Sequence, residues 1–262
     1  MDNKIPLIRA SGISQTFTIG DEQIPVLSKS DLTIGQGSFS IIFGPSGSGK
    51  STLLNILSGI QEPTTGEILF NNTDVYKYSP NELAYFRANQ IGVVYQQNYW
   101  INSLSVIENI SVPLFFLGYT RPEARAMAMN ALQRVDMATF ADKNPVLLSG
   151  GEQQRIGLAR AIVNEPNAII ADEPTGSLDS KNGDMIMSLL QSYCRDLKRT
   201  VILVTHNMEY LPLADHLIHI QDGKCQEVPN NQILSTTETL LDEIRLRLTK
   251  KRGKAHHANN SR

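Results

Sequence analysis

Gly44-Pro45-Ser46-Gly47-Ser48-Gly49-Lys50-Ser51 fits the pattern G-x-x-x-x-G-K-[ST] and decides the reading of this chain. It follows the apolar run Ser40-Ile41-Ile42-Phe43 and precedes Thr52-Leu53-Leu54-Asn55-Ile56-Leu57, which suits a helix. Strand, glycine-rich loop and helix in that order are the setting a phosphate-binding loop requires. The glycines let backbone N–H groups curl around phosphate oxygens, and the following helix adds its positive dipole end. Lys50 can reach the terminal phosphates, and the Ser51 hydroxyl can ligate Mg²⁺. By itself the loop points to a nucleoside triphosphate and no further.

Working outward, the N-terminal part is β-rich. Leu32 and Ile34 alternate with polar residues, and Glu67-Ile68-Leu69-Phe70 follows Gly66. From about Ser79 the pattern turns helical. Ser79-Pro80-Asn81-Glu82 and Thr120-Arg121-Pro122-Glu123 are capping boxes that open helices over Leu83 to Arg87 and Ala124 to Val135. Met127 and Met129 in the second read as core filler. Ala168-Ile169-Ile170-Ala171 and Val201-Ile202-Leu203-Val204 are unbroken apolar runs, suited to parallel strands buried on both faces. Between them Ile186, Leu189, Leu190, Tyr193 and Leu197 recur at helical spacing, the mark of a crossover helix. The expectation is an α/β core interrupted by a mostly helical insert over residues 97–163. A domain of residues 1–227 is then followed by a C-terminal extension, residues 228–262.

Composition bounds the partners. The chain has 262 residues, enough for one large core with a subdomain, and 24 Lys+Arg against 26 Asp+Glu give a formal net charge of -2. That balance offers no global attraction for nucleic acid. Cys194 and Cys225 match no metal or redox spacing and read as reduced thiols. The first residues lack the apolar core of a signal peptide. No apolar run approaches the ~18 to 20 residues that cross a bilayer, and Val112-Pro113-Leu114-Phe115-Phe116-Leu117 is far too short. Any membrane role therefore has to come from a partner.

The extension holds two open readings. Ser235-Thr236-Thr237-Glu238 suits the cap of a helix with Leu240, Leu241, Ile244 and Leu248 on its apolar face, while Ile244 to Leu248 also alternates like a strand. From Lys250 the chain is basic and polar, the composition of a disordered tail, and His256-His257 reads as part of that solvated end.

Further motifs narrow the function. Leu148-Ser149-Gly150-Gly151-Glu152-Gln153-Gln154-Arg155 resembles the signature motif of ATP-binding-cassette ATPases, and the resemblance covers residues 7 to 227 with the expected motifs in order. It implies a P-loop NTPase fold: a RecA-like parallel sheet, an N-terminal antiparallel β subdomain and an inserted α-helical subdomain bearing the signature. In that family Ser149, Gly150, Gly151 and, by the same motif, Gln153 would face the γ-phosphate held by a second copy. Ala168 to Glu173 looks like the second nucleotide motif, in which Asp172 holds the Mg²⁺ shell and Glu173 acts on the attacking water. Pro174-Thr175-Gly176-Ser177-Leu178-Asp179 continues the pattern, with Asp179 at the dimer interface. His206, after Val204-Thr205, fits the switch histidine expected to touch the γ-phosphate and Glu173.

Ile91-Gly92-Val93-Val94-Tyr95-Gln96 ends in a glutamine placed like the family residue that ligates Mg²⁺ and senses the γ-phosphate. The resemblance puts Tyr99, Trp100 and Ile101 along the groove that receives a helix of a membrane subunit; aromatic packing between subdomains fits either ring equally. Phe17 stands where the family stacks adenine, commonly with tyrosine, and core packing is the competing reading. Gly44 through Thr52 complete the nucleotide set, with ATP and Mg²⁺ as the implied cofactors.

Within the family the resemblance is to the lipoprotein-release, macrolide-export and cell-division branch. It is carried by Gly44 to Asn55, by Gly150 to Arg155, by Ala171 to Asp179 and by Leu83-Ala84-Tyr85-Phe86-Arg87 before Gln96. That implies an ATPase that dimerises on ATP at the cytoplasmic face of a bacterial inner membrane. Its partner would be a separate permease with a large extracytoplasmic domain, and its output the export or extrusion of lipoprotein, lipid, drug or peptide. A rival output is a mechanical or signalling switch on cell-wall enzymes. A second rival, a cassette acting on nucleic acid or ribosomes, lacks the long coiled-coil insertion, zinc element or second cassette usual there.

Overall fold

A computed structural model describes residues 5–242. From the N-terminus, β1 (Pro6–Ile19), β2 (Glu22–Gly35) and β3 (Phe39–Phe43) lead into α1 (Lys50–Leu57). Then come β4 (Thr65–Phe70), β5 (Thr73–Asp74), α2 (Pro80–Gln90) and β6 (Ile91–Val94). Three helices, α3 (Val106–Phe116), α4 (Arg121–Arg134) and α5 (Gly150–Ile162), make the insert. The core resumes with β7 (Ala168–Asp172), α6 (Ser180–Leu197), β8 (Thr200–Thr205), β9 (His216–Gln221) and β10 (Lys224–Val228). A last helix, α7, covers residues 233–242.

Two sheets result. One is antiparallel, ordered β2-β1-β4-β5, and the other has the order β10-β9-β3-β8-β7-β6. In the second, β9, β3, β8, β7 and β6 run parallel and only β10 is antiparallel. The apolar runs are buried on both faces for the reason the sequence suggests. Phe39, Ile41 and Phe43 of β3 enter one core with the helical insert and α6, while Ile42 enters the other with α1 and the antiparallel sheet. β8 divides likewise, Val201 and Leu203 on one side and Ile202 and Val204 on the other. All of these side chains are at most 1% exposed, and each contributes about 1.5 to 3 kcal/mol through burial.

The helices begin where short polar residues can hold their first N–H groups. Ser79 and Glu82 form the expected capping box, and α2 starts at Pro80 and runs to Gln90, beyond both ends of the expected segment. Thr120 and Glu123 pair in the same way at the start of α4. Two more boxes, Ser105 with Glu108 and Ser149 with Glu152, open α3 and α5.

The C-terminal extension corrects the expected boundary. Ser235 does not cap α7; it lies inside the helix, with its hydroxyl donating to the Gln232 carbonyl at 3.1 Å. The helix starts three residues earlier, at 233 rather than 236, because Ile233, only 6% exposed, is drawn into the main core, where Leu240 also packs. Ile244, Leu248 and the basic tail lie outside the described residues.

Candidate functional site

The carboxyl ends of three adjacent strands build the site, the usual place for a ligand on an open parallel sheet. β3 pairs with β8 and β8 with β7, so that Phe43 stands beside Thr205 and Asp172 beside Val204. The phosphate loop leaves β3, the Asp172-Glu173 pair ends β7, and His206 follows β8.

The loop requires its glycines. A Cβ on Gly44 would stand 2.0 Å from the Ile220 carbonyl oxygen, and one on Gly49 would stand 2.9 Å from the Val26 carbonyl oxygen and from Leu27. Gly49 has φ +102° and N-caps α1 without a side-chain bond, so the first N–H groups of that helix face the cradle. Lys50 folds back over the loop, donating to the carbonyls of Gly44 at 2.9 Å and Pro45 at 2.8 Å. The Ser48 hydroxyl is buried with no hydrogen-bond partner. Exposed N–H groups, a lysine ammonium and an unpaired hydroxyl are donors, and together they fit a polyphosphate.

Beside the loop, the Ser51 hydroxyl donates to Asp172 Oδ2 over a long 3.4 Å. Burial pushes the Asp172 carboxyl up from the usual aspartate range and the Glu173 charge adds to it, while the Ser51 hydroxyl and Lys50 act against them. A hydroxyl and a destabilised carboxylate within reach of each other suit a hard divalent cation, which takes oxygen ligands. Glu173 adopts φ +47°, a left-handed conformation that a non-glycine residue holds only when its surroundings impose it. Its N–H donates to the Val204 carbonyl at 2.9 Å, and its own carbonyl accepts from Gly176 N–H at 3.0 Å. The turn carries the carboxyl to His206, whose Nδ1 lies 2.7 Å from Glu173 Oε2. Among the described residues that buried oxygen has no hydrogen-bond partner. An unsatisfied carboxylate oxygen at this place can orient a water.

Other expected residues are brought near. The Gln96 amide nitrogen lies 3.1 Å from where a Cβ on Gly176 would stand, against the turn that carries Glu173. Thr52 lies in the first turn of α1. Phe17, on β1 opposite Ile24, is 38% exposed and belongs to neither core.

The signature residues form a separate group. Ser149 caps α5 with Glu152, whose carboxyl is held below its ordinary range by the Ser149 hydroxyl and N–H. Among the described residues Ser149 makes no hydrogen bond to the phosphate loop of its own chain. A Cβ on Gly151 would meet the Asn182 side chain at 2.7 Å, and Asn182 donates to Asp179 from both its backbone and its amide. Asp179 is therefore the N-cap of α6. Gln153 is engaged at both ends of its amide, accepting from Trp100 Nε1 at 2.8 Å and donating to the Leu148 carbonyl at 2.9 Å.

An open groove of about 670 Å³ lies between α2 and the insert, lined by Ile60, Tyr85, Arg87, Tyr95, Phe116 and Arg160 among others. Tyr99 and Ile101, expected along it, are exposed but not among its lining residues, and Trp100 is half-buried against the main core. Trp100 stacks beneath Arg160, whose guanidinium carbon is 4.6 Å from the ring centroid. Asn98 and Arg160 went unremarked in the sequence, and Gln154 was quoted within the signature stretch without a role of its own. The signal for Gln154 was present: it is a polar residue on the α5 stripe shared with Leu158 and Ala161.

A family profile described as ABC transporter matches residues 27–176. An uncharacterised ABC transporter ATP-binding protein of Mycobacterium tuberculosis is 38% identical over 245 residues, spanning 91% of this chain and 97% of that one. A macrolide export ATP-binding/permease protein of Agrobacterium fabrum is 39% identical over 232 residues, 88% of this chain but 36% of the longer relative. Among solved structures, the ATP-binding cassette of a Methanocaldococcus jannaschii protein, a post-hydrolysis dimer bound to ADP and Pi, superposes with a TM-score of 0.79. It is 37% identical, over 85% of this chain and 98% of that one.

Proposed function

Since the chain belongs to the ABC transporter family and is an ATPase, we propose that two copies close head to tail on two ATP–Mg²⁺ and drive a membrane permease. Each composite site takes the phosphate loop of one copy and Ser149 of the other. The observation that carries this reading is the division of the site within one chain. Lys50, Ser51, Asp172 and Glu173 converge at the strand ends, while among the described residues the Ser149 side chain bonds within its own capping box. The dimeric state of the solved M. jannaschii relative supports it.

In that reading Lys50 exchanges the Gly44 and Pro45 carbonyls for phosphate oxygens. Ser51, Asp172 and Gln96 hold Mg²⁺, which supplies charge neutralisation at the phosphates. Glu173 orients the attacking water, and His206 reports the γ-phosphate to it. Phe17 presents its ring to the adenine.

The groove supports a membrane partner. Tyr85 is 57% exposed and Phe116 77%, yet among the described residues no helix is long and apolar enough to cross a membrane. A helix of a separate permease would fill the groove at the cytoplasmic face of a bacterial inner membrane. The macrolide-export relative favours export as the output, through a permease with a large extracytoplasmic domain. Isolation of the tagged chain from detergent-solubilised membranes tests this. An integral membrane protein recovered with it should raise its ATP turnover. A chain that hydrolyses ATP and recovers none would leave the ATPase standing and remove the permease.

A further inference from the structure

Gln96 sits on the loop that joins β6 to the insert, and one buried side chain brackets it. Gln154 of α5, 2% exposed, donates from Nε2 to the Tyr95 carbonyl at 2.9 Å. Its Oε1 accepts from Asn98 Nδ2 at 2.9 Å. The residue before Gln96 and the residue two after it are thus tied to the same amide. Six residues along α5, Arg160 donates to the Asn98 carbonyl at 2.6 Å and covers the Trp100 ring. Asn98 Oδ1 is buried with no hydrogen-bond partner and stands over Gly157, where a Cβ would come within 2.1 Å of it.

We propose that Gln154, seated through Asn98 on the bare backbone of Gly157, is a positioning residue that fixes the reach of Gln96 to the helix beginning at Ser149. The proposal deepens the reading of the ATP site given above and rests on Gln96 acting there. A helix moves as a rigid rod with ~1.5 Å rise per residue, so Ser149 and Gln154 shift together. Through its amide, Gln154 passes that shift to both sides of Gln96. Arg160 and Tyr95 also line the groove, so whatever fills the groove bears on two members of the same latch.

Gly157 makes the inference testable without removing any hydrogen-bonding group. Helix propensity alone favours alanine over glycine within α5. Gly157→Ala should nevertheless lower kcat by roughly tenfold to a hundredfold, the scale of a ~1 Å misplacement, with KM for ATP unchanged and melting temperature held within a degree or two. Gln154→Leu should give the same kcat-against-KM split. Combining Gly157→Ala with Asn98→Ala should cost no more turnover than Asn98→Ala alone, because the Oδ1 that the new methyl displaces is then gone. Additive losses in that pair, or full kcat in Gly157→Ala, would overturn the latch. Gln96→Ala is the control: if it keeps full turnover, the reading of Gln96 itself fails. If it loses turnover while Gln154→Leu and Gly157→Ala do not, only the latch fails.

Discussion

His206 Nδ1 approaches Glu173 Oε2 to 2.7 Å across the ends of β8 and β7. The two residues reach each other by different means. Thr205 accepts the Asn207 N–H at 3.0 Å and turns the chain so that the imidazole stands in the open, 66% exposed. Glu173 gets there through its φ of +47°, which lifts its carboxyl off the line of the strand while leaving it 16% exposed. The carboxylate is largely buried and the imidazole largely open to solvent.

Glu173→Gln keeps the size and the backbone conformation and removes only the charge and basicity. It should lower kcat by roughly 10² to 10⁴-fold, the range of a positioned general base. ATP affinity should stay near wild type, because in the proposed site Lys50 and the loop, not Glu173, hold the phosphates. Equilibrium nucleotide binding beside steady-state hydrolysis separates the two, and mass measurement with ATP should find a trapped dimer. Turnover within a few-fold of wild type would remove Glu173 from the mechanism.

Mixing Lys50→Ala with Ser149→Arg should recover part of the turnover that each lacks alone. A head-to-tail mixed dimer has one site with both lesions and one with neither. Ser149 also N-caps α5, so its loss carries a stability cost of about 1 kcal/mol, which melting of the single variant reads separately. Mixed dimers that form and stay inactive would contradict composite sites.

The residues proposed to face phosphate were legible because their requirements are local. Glycines at fixed offsets and a carboxylate pair closing an apolar strand can be read without the fold. What the sequence hid depends on distant partners. The start of α7 was misplaced because Ile233 answers to the main core and not to the Ser235 cap. Trp100 was placed with Tyr99 and Ile101 along a groove, with packing between subdomains left equally open for either ring. Only its contacts with Gln153 and Arg160, more than fifty residues away, separate it from them. The box at Ser105 was legible by the same S-x-x-E spacing that identified the one at Ser79, and went unread.

Asp172 sets a conflict between stability and function. Its folded-state pKa is raised by burial and by Glu173. Its stabilising contribution is therefore full below the ordinary aspartate pKa and is lost as pH rises through the raised value. Holding a charge at this buried place therefore costs the nucleotide-free chain stability. Asp172→Asn should then raise the melting temperature at pH 7 to 8, on the order of 2 °C. The gain should shrink as pH falls through the raised pKa, and Mg²⁺-dependent hydrolysis should disappear. A lower melting temperature at pH 7.5 would mean that the carboxylate is held by interactions stronger than its desolvation.

The groove and the half-buried tryptophan call for opposite outcomes. Tyr85 and Phe116 project into an open groove and contribute little to either core, so Tyr85→Ala and Phe116→Ala should leave melting and basal hydrolysis near wild type. Truncating an aromatic anchor at an interface costs about 2 kcal/mol or more of binding, some thirtyfold in affinity, so stimulation by the permease should fall sharply. Trp100→Ala should behave differently, since it removes the Nε1 donor to Gln153 and the face beneath Arg160. It should lower the melting temperature and reduce basal turnover as well. Trp100→Phe keeps the ring and loses the donor, and should fall between. If Trp100→Ala spared the isolated subunit and weakened only its response to the permease, the ring would belong to the docking surface. The arginine and glutamine that hold it would then be holding a hot spot in place rather than closing a subdomain contact.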